Sequence, residues 1–317
     1  MGLIPFIVRK LLGGIPLVLG VTFISFLLMV YFGPDRTNEI VGKNPTAEQI
    51  AEVRAQLGYD KPFFARYVDY LTELVTLDFG LSASSGQRVS TVLATAVPIT
   101  LALMAPGFVL GNLLGLGFAL VAAYHRGRWL DKAIMGASVV GMSISFLIVV
   151  IFFQLLFCSS MGLNWFPSRG WEVDSVSSYL YYVTVPTLAV VFVALGYNTR
   201  FYRAVLVEEL NRDHVRTALA YGTPPARLLC RNVLKNALIP IITRVLFSIP
   251  LVLISGSLII ETYFGIPGAG KMTYDAITQG DQPVLKAVVG LTAVLFVFTL
   301  LLADMLYRLV DPRVELT

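Results

Sequence analysis

The chain has 317 residues, of which 56% are apolar and only 14% are charged, and its mean hydropathy is +0.75. Soluble domains carry about 25% charged residues, so this composition excludes an ordinary cytosolic globular protein, and the apolar content excludes a disordered chain. The formal charge of +4 needs no nucleic-acid partner, because basic loops beside anionic lipid account for it. We therefore expect an integral membrane protein.

Six apolar runs are each long enough to cross a hydrocarbon core, which needs about 20 helical residues. Continuous runs of this length predict α-helices rather than the alternating strands of a barrel. The predicted fold class is thus all-α, a polytopic membrane protein with six transmembrane helices. The predicted spans are Leu11–Phe32, Ala96–Tyr124, Ala133–Cys158, Tyr179–Tyr197, Leu238–Ile260 and Val284–Ala303.

The distribution of Lys and Arg predicts the orientation. If the N-terminus is cytoplasmic, most of the 24 basic residues fall in the inner segments, as the positive-inside rule requires. Both termini are then cytoplasmic. On this topology Cys158 and Cys230 lie on opposite sides of the membrane, so we expect two free thiols rather than a disulfide.

The predicted external segment 33–95 looks partly folded. We expect it to form a small helical cap between the N-terminal segment with the first span (1–32) and a five-helix core (96–317). Thr46 and Gln49 have the spacing of a capping box, and Gly58 suits the end of that helix. A second helix is expected from near Pro62. Its apolar face would contain Phe63, Tyr67, Tyr70, Leu71 and Leu74. The alternative is a simple linker.

The inner loop 198–237 is rich in both basic and apolar residues, which is not typical of a flexible tether. We predict a helix, a turn and a second helix that runs into the fifth span. Gly222 suits the helix end, Thr223 an N-cap, and Pro224 the first helical position. The first helix is predicted from Tyr202, Val205, Leu206, Leu210, Val215, Leu219 and Tyr221. The turn of this loop contains small residues and is surrounded by basic ones, which suits docking into a groove of another protein.

This elbow resembles the coupling loop of bacterial ABC importer permeases. The motif is Val215-Arg216-Thr217-Ala218, then Gly222, then the run from Arg231 to Pro240. Arg216-Thr217-Ala218 occupies the positions of the general Glu-Ala-Ala pattern, a departure that is similar to the first permease subunit of oligopeptide and dipeptide importers. The resemblance implies that Arg216, Thr217, Ala218, Ala220, Gly222 and Arg227 couple the chain to an ATPase.

Three further stretches are similar to the same family: Arg9 to Leu12, Glu261 to Gly270, and Asp311-Pro312-Arg313. The middle stretch is expected to shape an outer gate. Its candidate residues are Glu261, Gly265, Pro267, Gly268 and Gly270. One departure is Ser143-Ile144-Ser145, where many relatives have Ser-Ile-Pro. Losing that proline is expected to remove a kink from the third span.

The resemblance also implies partners: a homologous second permease, two cytoplasmic ATPases, an external substrate-binding protein and membrane lipid, without nucleic acid. The implied function is to translocate short peptides across the bacterial inner membrane. The alternatives within the family are nickel, glutathione or a peptide-like antibiotic. From another class, the alternative is a channel or an ion-coupled transporter that works without ATPases. We expect no cofactor on this chain, because ATP and Mg would bind the partner ATPases.

The segment from Gly265 to Lys271 nearly matches a P-loop, but Met272 replaces the Mg-binding hydroxyl and no strand precedes it. We interpret it as a tight Gly/Pro turn. Intramembrane catalysis is also disfavoured, because His125 and His214 both lie in predicted cytoplasmic loops. No Cys/His cluster has zinc spacing, so no metal site is expected, and no enzymatic activity is expected on this chain.

Polar side chains within predicted spans are functional candidates by default. A structural role is expected for Arg244 and Asp304, whereas Glu261 suits either a structural role or the gate. Asn112 and Gln154 suit packing between helices better than pore lining. The substrate-binding residues stay unknown at this point.

Overall fold

The computed structural model describes residues 3–32, 37, 41, 46–56 and 58–310. The predicted family signature Asp311-Pro312-Arg313 lies outside the described residues. Helices dominate, and the described ranges contain no β-strand. The helices are α1 (Leu3–Phe32), α2 (Ala47–Gln56), α3 (Phe63–Thr76), α4 (Val89–Tyr124), α5 (Trp129–Ser143), α6 (Phe146–Cys158), α7 (Val176–Leu210), α8 (Asp213–Ala220), α9 (Pro225–Phe264), α10 (Ala269–Gln279) and α11 (Gln282–Val310).

Five of these helices are long and apolar enough to cross a membrane, or six if the bent pair α5 and α6 is taken as one span. This confirms the all-α, polytopic fold class. Helix α9 is continuous over 40 residues but contains two π-helical segments, Leu228–Val233 and Val252–Gly256. Cys158 and Cys230 are free thiols, as predicted.

The third predicted span is bent by 96° between α5 and α6. The expectation that a missing proline removes the kink is therefore wrong. Ile144 (φ −87°, ψ 131°) and Ser145 (φ −58°, ψ 136°) take extended conformations that interrupt the helix. A β-branched residue tolerates this conformation well, and the Ser143 hydroxyl bonds to the Val139 carbonyl at 2.7 Å. The bend thus forms without proline.

Contacts divide the chain into two compact units, Met1–Val97 with Met272–Phe298, and Pro98–Lys271 with Thr299–Thr317. The first unit contains the two predicted cap helices. The capping box is confirmed, because the Thr46 backbone N–H donates to Gln49 and the Gln49 backbone N–H donates to Thr46, at 3.0 and 3.3 Å. Gly58 follows α2 with a φ of +68°, as its predicted role requires.

The predicted apolar face of α3 packs against α1. Tyr67 and Tyr70 are buried against Phe26, and Phe63 and Leu71 are partly buried beside them. The Tyr67 hydroxyl donates to the Leu19 carbonyl at 2.8 Å. These contacts show that α3 is packed against α1.

A second polar contact in this unit is centred on Asp281, which is fully buried between α10 and α11. Its carboxylate accepts hydrogen bonds from the Ser82 hydroxyl at 2.6 Å and from the Ser84 backbone N–H at 3.0 Å. Burial raises the pKa of Asp281, but the hydrogen bonds from Ser82 and Ser84 outweigh it, and the pKa lies below its usual value. Asp281 is therefore charged, and its carboxylate holds the loop before α4 in place through these hydrogen bonds.

In the second unit, α7 packs closely against both α4 and α5. Glycines spaced four residues apart on α4 face residues spaced four apart on α7, which lets the two backbones approach. A Cβ on Gly111 would lie only 2.7 Å from the Ala194 Cβ. On the other side, a Cβ on Gly196 would lie 2.8 Å from the Met142 backbone nitrogen. Helix α7 is thus in close backbone contact with α4 on one side and with α5 on the other.

We predict that Gly111→Ala lowers the thermal stability of the protein by the equivalent of about 1–3 kcal/mol, because the added methyl group overpacks the contact with Ala194. Gly117→Ala on the same helix is the matched control, since a Cβ there meets nothing within 4 Å. The measurement is the melting temperature of the purified complex in detergent. Equal melting temperatures for the two variants would contradict the close contact.

Candidate functional site: the α8 elbow

The predicted elbow is mounted on an apolar cluster at one end of the second unit. The cluster joins the ends of α4, α7 and α9, and its buried members include Tyr202, Leu206 and Val233. Val215 of α8 is 0% exposed within it, which anchors the short helix. Helix α8 is therefore packed against three long helices.

The predicted first helix of the elbow is divided into two. Helix α7 ends at Leu210, and α8 begins at Asp213 after Arg212 takes an extended conformation (φ −72°, ψ 151°). The prediction of one helix up to Tyr221 is therefore wrong at this break. The consequence is that α8 forms a separate short helix rather than a continuation of α7.

A partly buried ion pair holds α7 to α5 near the elbow. Arg203 Nε and one Asp131 oxygen lie 2.5 Å apart, and Arg203 Nη2 and the other oxygen lie 2.6 Å apart. Asp131 is 3% exposed and also accepts the Gly127 backbone N–H at 2.9 Å. A two-point contact of this kind fixes orientation as well as distance. Sequence reasoning missed this pair, because its members are 72 residues apart and no local pattern links them.

The turn after α8 depends on Gly222, whose φ of +77° confirms the predicted left-handed conformation. A Cβ at this position would meet nothing within 4 Å in this chain, so the left-handed conformation is what favours glycine here. The next helix starts one residue later than predicted. Pro224 is the N-cap and Pro225 the first helical residue, because a proline at that position lacks only an N–H that has no helical partner.

Most of the predicted coupling residues are exposed in α8, in the turn that follows it and in the first turn of α9. Arg216, Thr217, Ala220, Gly222 and Arg227 are exposed, and Ala218 is half-buried against the apolar cluster. Arg216 lies 3.6 Å from Asp213 in an exposed ion pair.

Two of the apolar side chains from which the first elbow helix is predicted are exposed at the tip. Tyr221 is 87% exposed and Leu219 is 50% exposed. Exposed apolar groups beside basic ones suit a contact with another protein. Their exposure follows from the break at Arg212, which the sequence pattern does not reveal.

The predicted gate residues form a second polar centre, around the fully buried Glu261 of α9. One carboxylate oxygen accepts the Thr100 hydroxyl of α4 at 2.5 Å, and the other accepts the Lys271 backbone N–H at 2.9 Å. Thr100 Oγ1 in turn accepts the Ala269 N–H at 2.7 Å. Glu261 and Thr100 thus cap the first turn of α10, where the helix presents N–H groups without internal partners.

The glycines of this segment fit closely around Glu261. Gly265 ends α9 with a φ of +67°, and Pro267 follows in the turn. A Cβ on Gly268 would overlap the Glu261 carboxylate, and one on Gly270 would lie 2.5 Å from the Leu258 nitrogen. The segment connects two helices and its N–H groups contact Glu261, which agrees with a Gly/Pro turn rather than a P-loop.

Comparison with known proteins identifies the family to which this chain belongs. Residues 111–316 match the model of the family described as binding-protein-dependent transport system inner membrane component, and residues 3–104 match the N-terminal model of such membrane components. The chain belongs to this family. The match over residues 111–316 contains both the elbow and the Glu261 turn, and it confirms the resemblance found in the sequence.

Individual relatives cover nearly the whole chain. It is 32% identical over 313 residues to a putative peptide transport system permease protein of Brucella abortus, with 98% of each chain covered. It is 31% identical to the oligopeptide transport system permease protein AppB of Bacillus subtilis, covering 98% of this chain and 99% of the relative. It is also 31% identical to the glutathione transport system permease protein GsiC of Salmonella typhi, covering 98% of each chain.

We predict that Glu261→Gln lowers the melting temperature of this family member, because an amide cannot accept hydrogen bonds on both sides and leaves one buried donor unpaired. The free energy of unfolding is expected to fall by about 1–3 kcal/mol. Glu208→Gln is the control, since Glu208 makes only a 3.8 Å surface ion pair. A Glu261→Gln protein with unchanged stability but altered transport would contradict the capping role and favour a gate.

Proposed function

We propose that the chain is a permease subunit of an ATP-driven importer that moves short peptides across the bacterial inner membrane. The observation that carries the proposal is the exposed surface of α8, which packs on an apolar cluster formed by α4, α7 and α9. A transporter without ATPases has no need for such a surface, so the elbow favours the importer over a channel or an ion-coupled transporter. The family membership agrees, since this family supplies the membrane component of binding-protein-dependent systems.

Short peptides are the proposed solutes because the relatives that match over the whole chain are named as peptide and oligopeptide permeases. Glutathione is the second candidate, because another relative of similar identity carries that name. Glutathione is itself a small peptide with free carboxylates, so the two candidates share their chemistry.

The proposed assembly contains this chain, a homologous second permease, two cytoplasmic ATPases and an external binding protein. ATP and Mg would bind the ATPases, and this chain would catalyse no reaction itself. Both termini and the elbow would face the cytoplasm, and α2 and α3 would face the outside. The basic residues of the elbow support this orientation through the positive-inside rule.

In the proposed mechanism, ATP binding draws the two ATPases together and moves the elbows docked on them. Because Val215 and the Asp131–Arg203 pair tie the elbow region to α4, α5, α7 and α9, the movement is passed to whole helices rather than absorbed in a loop. The helices then shift between inward-open and outward-open arrangements. This coupling requires that ATP and the solute bind the two arrangements with different affinities.

We predict that Gly222→Val abolishes peptide-dependent ATP hydrolysis and uptake while the complex stays folded, because a β-branched residue resists a φ of +77° and reshapes the docking tip. The measurement is ATPase activity and uptake in proteoliposomes that contain all subunits. Gly80→Val is the matched control, because Gly80 has a similar φ of +74° with open space around it but lies outside the elbow.

Normal coupled transport by the Gly222→Val protein would contradict the docking role of the elbow. Peptide uptake by this chain alone, without ATPases, would favour the channel or ion-coupled alternative.

A further inference from the structure

A cavity of about 240 Å³ that opens to the surface of the chain lies in the second unit, among α4, α6, α7 and α9. Its wall contains two interruptions of regular helix: Phe146 is the first residue after the 96° bend, and Val252 and Gly256 belong to a π-helical segment. Within a membrane, irregular backbone is tolerated where it lines a cavity, and π segments are frequent at functional sites. The position of both irregularities at one cavity indicates a functional site.

The wall is mainly apolar, and most of its polar groups already have partners. The side-chain oxygen of Asn112 (Oδ1) accepts hydrogen bonds from the Tyr202 hydroxyl at 2.5 Å and from Asn198 Nδ2 at 3.1 Å. The Ser248 hydroxyl donates to the Val245 carbonyl at 2.7 Å. These groups shape the cavity but have little capacity left for a charged ligand.

Arg244 is the exception on this wall. Among the residues that the structure describes, no carboxylate lies within ion-pair distance of its guanidinium. The group lies 5.5 Å from the centre of the Phe201 ring, and the side chain is exposed on the surface of the chain. A cation over an aromatic ring is held in place while its N–H donors remain free.

An arginine within a membrane span is expensive unless it meets an anion or water, and such residues mark ligand pathways. Arginine also matches a carboxylate by two parallel N–H···O bonds. The cavity is smaller than the range of about 300–1,000 Å³ typical of pockets for whole ligands, so it suits one end of a peptide.

We propose that this cavity is a binding site for the carboxylate end of the transported peptide, with Arg244 as its anion-binding residue. The inference rests on the proposed function, because it assumes that the solute is a peptide. It assigns to Arg244 a direct contact with the solute, in place of the structural role expected from the sequence. The apolar wall would contact the terminal side chain with little preference for its identity.

The test is direct binding of two probes to the whole transporter complex in lipid nanodiscs, without the binding protein. The probes are trialanine as the free acid and trialanine with a C-terminal amide. The binding of each probe is measured by saturation-transfer NMR. We expect the wild-type complex to bind the acid at least about tenfold more tightly than the amide, because the amide lacks the charge that a bidentate contact recognises. Arg244→Gln should remove this preference, and Arg244→Lys should retain part of it.

Arg200→Gln is the matched control, since Arg200 does not line the cavity and contacts Met142 instead. It should keep the full preference. Gel filtration of each complex checks assembly, and Arg244→Lys keeps the test valid if Arg244→Gln fails to assemble. The inference is overturned if the wild type binds neither probe, if it binds both equally, or if the preference survives in Arg244→Gln. It is also overturned if Arg244→Gln and Arg244→Lys both lose the second permease, because Arg244 would then pair with that subunit.

Uptake in proteoliposomes separates this failure from failure of the proposed function. If the complete wild-type system imports trialanine with ATP but shows no preference in binding, only the carboxylate site is wrong. If it imports no peptide, the proposed function itself is wrong.

Discussion

The rest of the second unit depends on the absence of space around α7. On one side Gly111 of α4 admits Ala194, and on the other Gly196 lies against the backbone of α5. Side chains larger than hydrogen at these glycines would separate the helices. In a membrane, where lipid tails are as apolar as leucine, such close packing is a main source of helix association. The contacts therefore determine where the end of α7, and with it the elbow, can lie.

Polar contacts add direction to this packing. The Asp131–Arg203 pair fixes α5 to α7 by two short contacts. A buried ion pair is not by itself strong evidence of stability, because desolvation offsets much of its attraction. Its geometric effect is clearer: it links the first turn of α5 to the helix that carries the elbow. The Glu261 and Thr100 contacts do the same for α4, α9 and the first turn of α10. Each centre thus joins helices that are far apart in the sequence.

Local features of the chain were predictable from the sequence. The apolar runs determine the membrane spans, the Thr46 and Gln49 spacing predicts a cap that forms as expected, and the turn at Gly222 needs a conformation that glycine favours. Each of these depends on residues close together in the chain.

Features that depend on distant residues were not predictable in the same way. The Asp131–Arg203 pair and the facing residues of α4 and α7 meet only after the helices pack. The bend at Ile144 was mispredicted because proline is a common cause of a kink, but two consecutive residues in extended conformations, Ile144 and Ser145, suffice here. The exposure of Tyr221 depends on the break at Arg212, since the periodicity of apolar residues continues across it.

The central claim is that the exposed tip of α8 contacts an ATPase, and site-specific photocrosslinking in native membranes tests it most directly. A photoreactive amino acid at position 221 should yield a covalent adduct with an ATP-binding subunit, identified by mass spectrometry. The same probe at position 129, where Trp129 is 77% exposed at the start of α5, serves as the comparison. The account predicts the ATPase adduct at position 221 in much higher yield than at 129. No adduct at 221, or equal yields at both positions, would contradict it.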